Sequence, residues 1–524
     1  MKNFLELGKI VSLILILVLL FTFAGCGLPW NTEKNKLSDL YDAERELMTD
    51  AQGNWEVVDK AEMPEKKDAT LTLAEMEKLY RPHTEWRIYD IRTTETTVKP
   101  TNGGTAYYVS NKGSSSNDGL TPETPFATPY NLGKVKLKAG DVVYFERGSV
   151  FRGTWTAMID GVTYSAYGEG KKPEFYGSIH DYADPKYWEE TDVKNTYVCT
   201  EIFTKDIGGV IYNEDQSAIK VTVGSNGIFD GKQFRDYKDI EKDLHFYRDT
   251  KTGKLYFKCN KGNPGEVFDR IELNLAGTVV SVKANNITLD NLCVKYGGSH
   301  GIGLSNNYTG LTVQNCEIGF IGGAIHSIRD GWAIRFGNGI ELWGGTDNFT
   351  IKNSYFYDIF DAAMTFQYSG SLETNIKNVS FVDNVIERCT YSFEYFLNAG
   401  ENSYIENITI ANNLMWYTGE GYCFKRYGEN QDAHIKSWEH NNNYVRGYFN
   451  ITNNLFAMSE AYLVQSWSGN DVSAKYDSNI YIQSEGKLLG ENGKTNQKIK
   501  FDTNVKNEIK NKLHDNNATV VFVQ

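Results

Sequence analysis

Hydrophobic and polar positions alternate in a short, recurring frame through the second half of the chain. Asn286-Ile287-Thr288-Leu289-Asp290-Asn291 returns as Gly310-Leu311-Thr312-Val313-Gln314-Asn315, then as Asn348-Phe349-Thr350-Ile351-Lys352-Asn353. Asn378-Val379-Ser380-Phe381-Val382-Asp383 and Asn407-Ile408-Thr409-Ile410-Ala411-Asn412 complete a set of five. Each copy carries two apolar residues at alternate positions, so both face the same side of a strand. Such a unit cannot bury its apolar face alone, and repetition at a period of about 20–50 residues marks a solenoid. Stacking at the strand spacing of about 4.8 Å makes this an all-β parallel β-helix, predicted over residues 276–490. The polar column Asn291, Asn315, Asn353, Asp383, Asn412 ends the strands, and its side chains are expected to hydrogen-bond from coil to coil at a corner.

A second strand follows each copy. Gly301-Ile302-Gly303-Leu304, Gly339-Ile340-Glu341-Leu342, Ala363-Met364-Thr365-Phe366 and Ser392-Phe393-Glu394-Tyr395 align with two inward apolar columns. Tyr422-Cys423-Phe424 fits the fifth coil best. The outward column then reads Gly303, Glu341, Thr365, Glu394, Cys423, and the next reads Ser305, Trp343, Gln367, Phe396, Lys425.

Other patterns divide the remaining chain. Residues 105–183 form an N-terminal cap and the first coils, with strands at Tyr107-Tyr108-Val109-Ser110 and Gly140-Asp141-Val142-Val143-Tyr144-Phe145. Residues 184–275 break the rhythm with strand-like runs among charged turns and are predicted to be a β-rich insertion. Residues 491–524 form a C-terminal cap, in which a helix over 505–513 and the strand Thr519–Val523 cover the last open edge. Residues 27–104, rich in Lys, Glu and Asp with helical stretches at 37–48 and 73–80, are expected to be a tether and accessory segment, chiefly a solvated spacer.

The N-terminus fixes the expected compartment. Lys2 and Lys9 flank a charged region, an apolar run covers 10–21, and Phe23-Ala24-Gly25-Cys26 follows. The run is short for a membrane-spanning helix and ends in small residues, as a processed signal does. Phe23-Ala24-Gly25-Cys26 resembles the bacterial lipobox, which implies lipidation at Cys26, export, and membrane attachment through that lipid. The other six cysteines show no metal-ligand spacing, and a Cys199–Cys259 disulfide is compatible with export. A net charge of −13 and the lack of a basic stripe argue against nucleic acid as a partner.

Candidate chemistry lies on the outward columns. Glu341 and Glu394 project from one face two coils apart, about 9–10 Å at strand spacing, and Asp361 enters the coil between them. Paired carboxylates suit glycoside hydrolysis, with one held protonated by crowding of like charge. A solvated acidic face, or a Ca²⁺ ion on the same oxygens, is the competing explanation. The long step between the second and third copies implies an inserted loop, 322–337, with His326, Trp332 and Arg335. A second loop, 427–448, carries His434, Lys436, Trp438 and His440. Arg335 and Arg426 are candidates for holding acidic substituents, Trp343 for stacking on a sugar, and Gln367 and His300 for polar contacts at the same face.

The cap motif, the Asn-φ-Thr/Ser-φ-x-Asn repeat (φ, apolar) and the Gly339-Ile340-Glu341-Leu342 strand together resemble the right-handed parallel β-helix proteins of the pectin-lyase-like superfamily. The resemblance covers about residues 106–183 and 276–485. It implies a polysaccharide or oligosaccharide partner and a hydrolase or lyase reaction, although adhesins share the scaffold. For a lyase it implies a Lys or Arg base, for which Lys425 beside Arg426 qualifies, often with Ca²⁺. Paired Asp-Asp and Gly-His motifs of polygalacturonase-type hydrolases, and the Arg-x-Pro-x-x-Arg type of many pectate lyases, are absent. The expectation is therefore a monomeric, surface-anchored polysaccharide-active enzyme using Glu341, Asp361 and Glu394, with a non-catalytic glycan-binding or adhesin-like protein as the alternative.

Overall fold

The computed structural model describes residues 55–305, 308–424, 431–438, 444–465, 474–491 and 495–524. Cys26 and the signal segment, together with Lys425, Arg426 and His440, lie outside these residues. Among the described residues, three long sheets of 10, 11 and 10 strands dominate. One coil runs from Thr312–Gln314 in the first sheet to Glu317–Ile321 in the second and Ile340–Trp343 in the third, then rises to Thr346–Lys352 in the first. Neighbouring coils pair in parallel within these sheets, so the chain is the expected parallel β-helix. Val313, Ile351, Phe381, Ile410 and Ile451 stack in register on the first sheet, and all are fully buried in the central core.

The polar positions of the repeat have a backbone cause. Asn291, Asn315, Asn353, Asp383 and Asn412 have φ of 57°, 54°, 45°, 58° and 57°. Asn and Asp tolerate the left-handed conformation better than other residues bearing a Cβ, because their short polar side chains bond locally. The leading Asn286, Asn348, Asn378 and Asn407 are left-handed for the same reason. The expected amide ladder forms mainly one residue beyond that column. Asn384 Nδ2 donates to Asn413 Oδ1 at 3.0 Å, Asn413 to Asn454 at 3.0 Å, Asn454 to Asn479 at 3.1 Å, and Asn479 to Asp515 at 2.9 Å. These amides are buried and also accept the backbone N–H of the preceding coil's turn, satisfying groups that no strand can reach.

Residues 73–93 are not a solvated spacer. They form one helix, opened by a Thr72–Glu75 capping box, that packs on the outer face of the second sheet. Met76, Tyr80, Ile88 and Ile91 are buried there. Arg92 clasps Glu317 in a two-point ion pair (3.1 and 3.2 Å), and Arg81 meets Glu387 at 2.6 Å. The edge of that sheet also differs from expectation: Thr519–Val523 lies inside it, and Ala69–Leu71 pairs in parallel as the outermost strand.

The insertion comprises a five-stranded sheet and a three-stranded antiparallel sheet around Trp188, Phe246, Phe257 and Leu273. Cys199 and Cys259 are both buried there as free thiols. Residues 324–336 form an antiparallel hairpin rather than an irregular loop.

Candidate active site

The third sheet sets the geometry of the acidic face. Gly303, Glu341, Thr365 and Glu394 are consecutive partners across four strands, as the alternation of Ile340, Leu342, Met364 and Phe366 requires. The fifth coil departs from the sequence alignment. Residues 421–423 form a single 3-10 turn, with Tyr422 and Cys423 buried, and the strand paired to Glu394 is Ala433–Ser437. Lys436, not Cys423, therefore continues the column, followed by Gln465 and Glu491. The segment read as a second loop thus supplies a strand of the wall.

Glu341 is 6% exposed. Asn338 Nδ2 donates to its Oε2 at 2.5 Å, and Gln367 Nε2 donates to both oxygens at 2.9 Å. Asn338 is itself oriented, since its Oδ1 accepts the Ala362 N–H at 2.9 Å. Burial dominates and pushes the Glu341 carboxyl up to about 8; the amide donors pull it down, while the charges of Glu394 and Asp361 add to the rise. Glu341 therefore carries its proton at neutral pH. Among the described residues, Oε1 accepts from Gln367 only.

His300 sits against this group, with Nδ1 3.9 Å from Glu341 Oε2. That contact is not a charged pair. Burial, with a smaller push from His326, holds the imidazole down at about 3, and Nδ1 accepts the Asn338 N–H at 3.2 Å. The remaining proton then belongs on Nε2.

Glu394 has a different setting. Trp438 Nε1 donates to its Oε1 at 2.6 Å, and the Lys436 ammonium lies 3.9 Å over the same indole ring. Asp361 is buried at the start of the intervening strand, with its backbone bonded to Gly337 and Tyr391. Between the two glutamates, Thr365 is fully buried, and its Oγ1 has no hydrogen-bond partner among the described residues. Such an orphan costs about 1–3 kcal/mol.

The remaining predicted residues divide. Gln367 and His300 converge on Glu341, and Trp343 stands beside it, 37% exposed, with its ring 5.9 Å from Tyr368. Arg335 is engaged elsewhere: it donates to the carbonyls of Gly323 and Gly208 at 2.6 and 3.0 Å and lies 4.1 Å over Phe360. It ties the hairpin to the insertion. Sequence reasoning missed Asn338, and it placed Lys436 and Trp438 in a loop. The alternation Ala433-His434-Ile435-Lys436-Ser437 was the available signal.

No protein-family model and no curated protein matches this sequence. Solved structures do resemble it. XylC, from a complex with xylose, has a TM-score of 0.43 at 13% identity, covering 72% of this chain and 69% of its own. A glycoside hydrolase has a TM-score of 0.42 at 9% identity, covering 74% and 96%. The pectate lyase Pel9A has a TM-score of 0.37 at 13% identity, covering 78% and 75%. At these identities and TM-scores the likeness does not select a reaction.

Proposed function

We propose that this protein is a polysaccharide-active hydrolase that cleaves glycosidic bonds on the third sheet, with Glu341 as general acid and Glu394 as general base. One observation carries the reading: Glu341, held protonated near neutrality, shares an outward column with Glu394. Two carboxyl groups in opposite protonation states are what acid–base cleavage of a glycoside requires. Two strand spacings separate them by about 9.6 Å at the backbone. The reading takes the pair as the inverting kind, whose carboxyl groups stand about 6.5–9.5 Å apart, against about 5 Å in retaining enzymes. In the forward step Glu341 gives its proton to the leaving oxygen as the glycosidic bond breaks. Glu394 takes a proton from the water that attacks the anomeric carbon. Asp361 supports the raised affinity of Glu341 for its proton, and Trp343 offers a ring face at the rim. Export and anchoring at Cys26 belong to the same proposal and rest on the N-terminal residues alone.

A lyase reading draws on one observation, the lysine in the column. Among the described residues, Lys436 is the lysine on this face that could serve as its base.

The test is a glycan panel incubated with the soluble mature chain and read by reducing ends and by ultraviolet absorbance. New reducing ends without absorbance, abolished in Glu394→Gln, are expected. An absorbing unsaturated product would move the assignment to Lys436. Binding without turnover on every glycan would leave a non-catalytic glycan-binding protein.

A further inference from the structure

The mechanism above leaves one buried group on the acidic face unused. Thr365 occupies the position between Glu341 and Glu394, one strand from each. Its side chain points outward with theirs, because Met364 and Phe366 on either side enter the core. It is fully buried, and Oγ1 makes no hydrogen bond among the described residues. Its neighbours are engaged otherwise: Gln367, two residues along the same strand, gives its amide to Glu341, and Trp438 gives its indole N–H to Glu394. A hydroxyl can donate one hydrogen bond and accept others. A β-branched residue at this outward position needs no hydroxyl to pack, and valine would fill the same space without leaving a polar atom unpaired.

We propose that the Thr365 hydroxyl holds the attacking water between the two glutamates, as a positioning residue for the hydrolysis. The inference rests on the hydrolase reading. Thr365 Oγ1 accepts one hydrogen of the water, whose other hydrogen points to the Glu394 carboxylate and whose lone pair faces the anomeric carbon. The bond from water oxygen to carbon forms as the glycosidic bond breaks. The water's proton passes to Glu394, and the Glu341 proton leaves with the departing sugar oxygen. Nothing is oxidised or reduced. Thr365 gains and loses no proton; it fixes where the water waits.

The experiment pairs a high-resolution crystal structure of the soluble protein with kinetics of Thr365→Val and Thr365→Ser. The expected result is an ordered water within about 3 Å of both Oγ1 and the Glu394 carboxylate, absent in Thr365→Val. The valine variant should melt as wild type does but lose on the order of 10²-fold in kcat with KM little changed, and the serine variant should recover most of that loss. A merely structural threonine would not separate kcat from KM, nor be rescued by serine while valine fails. Full kcat in Thr365→Val, or no water at Oγ1, overturns the proposal while leaving the hydrolase reading intact. If no glycan is cleaved by the wild type, that reading fails on its own, and the electron density at Oγ1 still decides whether Thr365 binds water.

Discussion

Glu341 and Glu394 stand on one face of a single parallel sheet, two strands apart and in strict register through Thr365. The relationship follows from packing. Ile340, Leu342, Met364, Phe366, Phe393 and Tyr395 must enter the core, so the residues between them must leave it. The solenoid thereby fixes the backbone separation of the two glutamates to a multiple of the strand spacing.

The protonation state of Glu341 gives the first prediction. As the general acid it must keep its proton, so activity should fall as pH rises through about 8. Glu341→Gln should lower kcat by about 10²–10⁴-fold, the usual contribution of a general acid, and remove that alkaline limb. A pH–rate profile on the cleaved glycan checks both.

Stability should respond to the same group. Glu341 binds its proton more tightly folded, at about 8, than unfolded, near 4.5. Between those values the folded state holds a proton that the unfolded state has released, so unfolding becomes easier as pH rises. The stabilisation is complete below pH 4.5 and lost through about 8. In urea titrations across this range, wild type should lose stability relative to Glu341→Gln as pH rises; a constant difference would show that Glu341 does not titrate there.

Trp438→Phe separates the indole donor from its ring. The cation face for Lys436 persists while the 2.6 Å bond to Glu394 is lost. A hydrogen bond to a charged group contributes about 1.5–3 kcal/mol, so kcat should fall by about tenfold or more.

Substrate contact at the rim is a separate matter. Trp343→Ala should raise KM by about tenfold or less, since aromatic contacts contribute about 0.5–1.5 kcal/mol beyond burial. The melting temperature should barely change, because the ring is 37% exposed.

The helix over Leu73–Thr93 should be required for stability. Arg92→Ala leaves Glu317 buried without its two-point partner, which costs about 3–5 kcal/mol. Replacing both residues with methionine should restore much of the loss. Denaturant midpoints of the single and double variants measure this.

Much of the scaffold was legible because its rules are local. Asn and Asp recur where the backbone turns left-handed, and apolar residues recur where a strand faces the core, so coils 303, 341, 365 and 394 aligned without error. The fifth failed because Tyr422 and Cys423 are as apolar and buried as strand residues, yet close a 3-10 turn. The helix over 73–93 escaped full recognition because polar Arg81, Thr84 and Arg92 share its buried face, and because Pro82 lies inside it. Its partners, Glu317, Glu387 and Trp416, lie hundreds of residues away. A separation of 44 residues hid Trp438, and with it Lys436, which reach Glu394 only once the strand Ala433–Ser437 is in place.

The most direct test of the central claim is the anomeric configuration of the first product, followed by proton NMR as wild-type protein cleaves the glycan found in the panel. The Glu341–Glu394 pair predicts a saturated product of inverted configuration, and none from Glu394→Gln. A retained configuration, an unsaturated product, or full turnover by Glu394→Gln would contradict it.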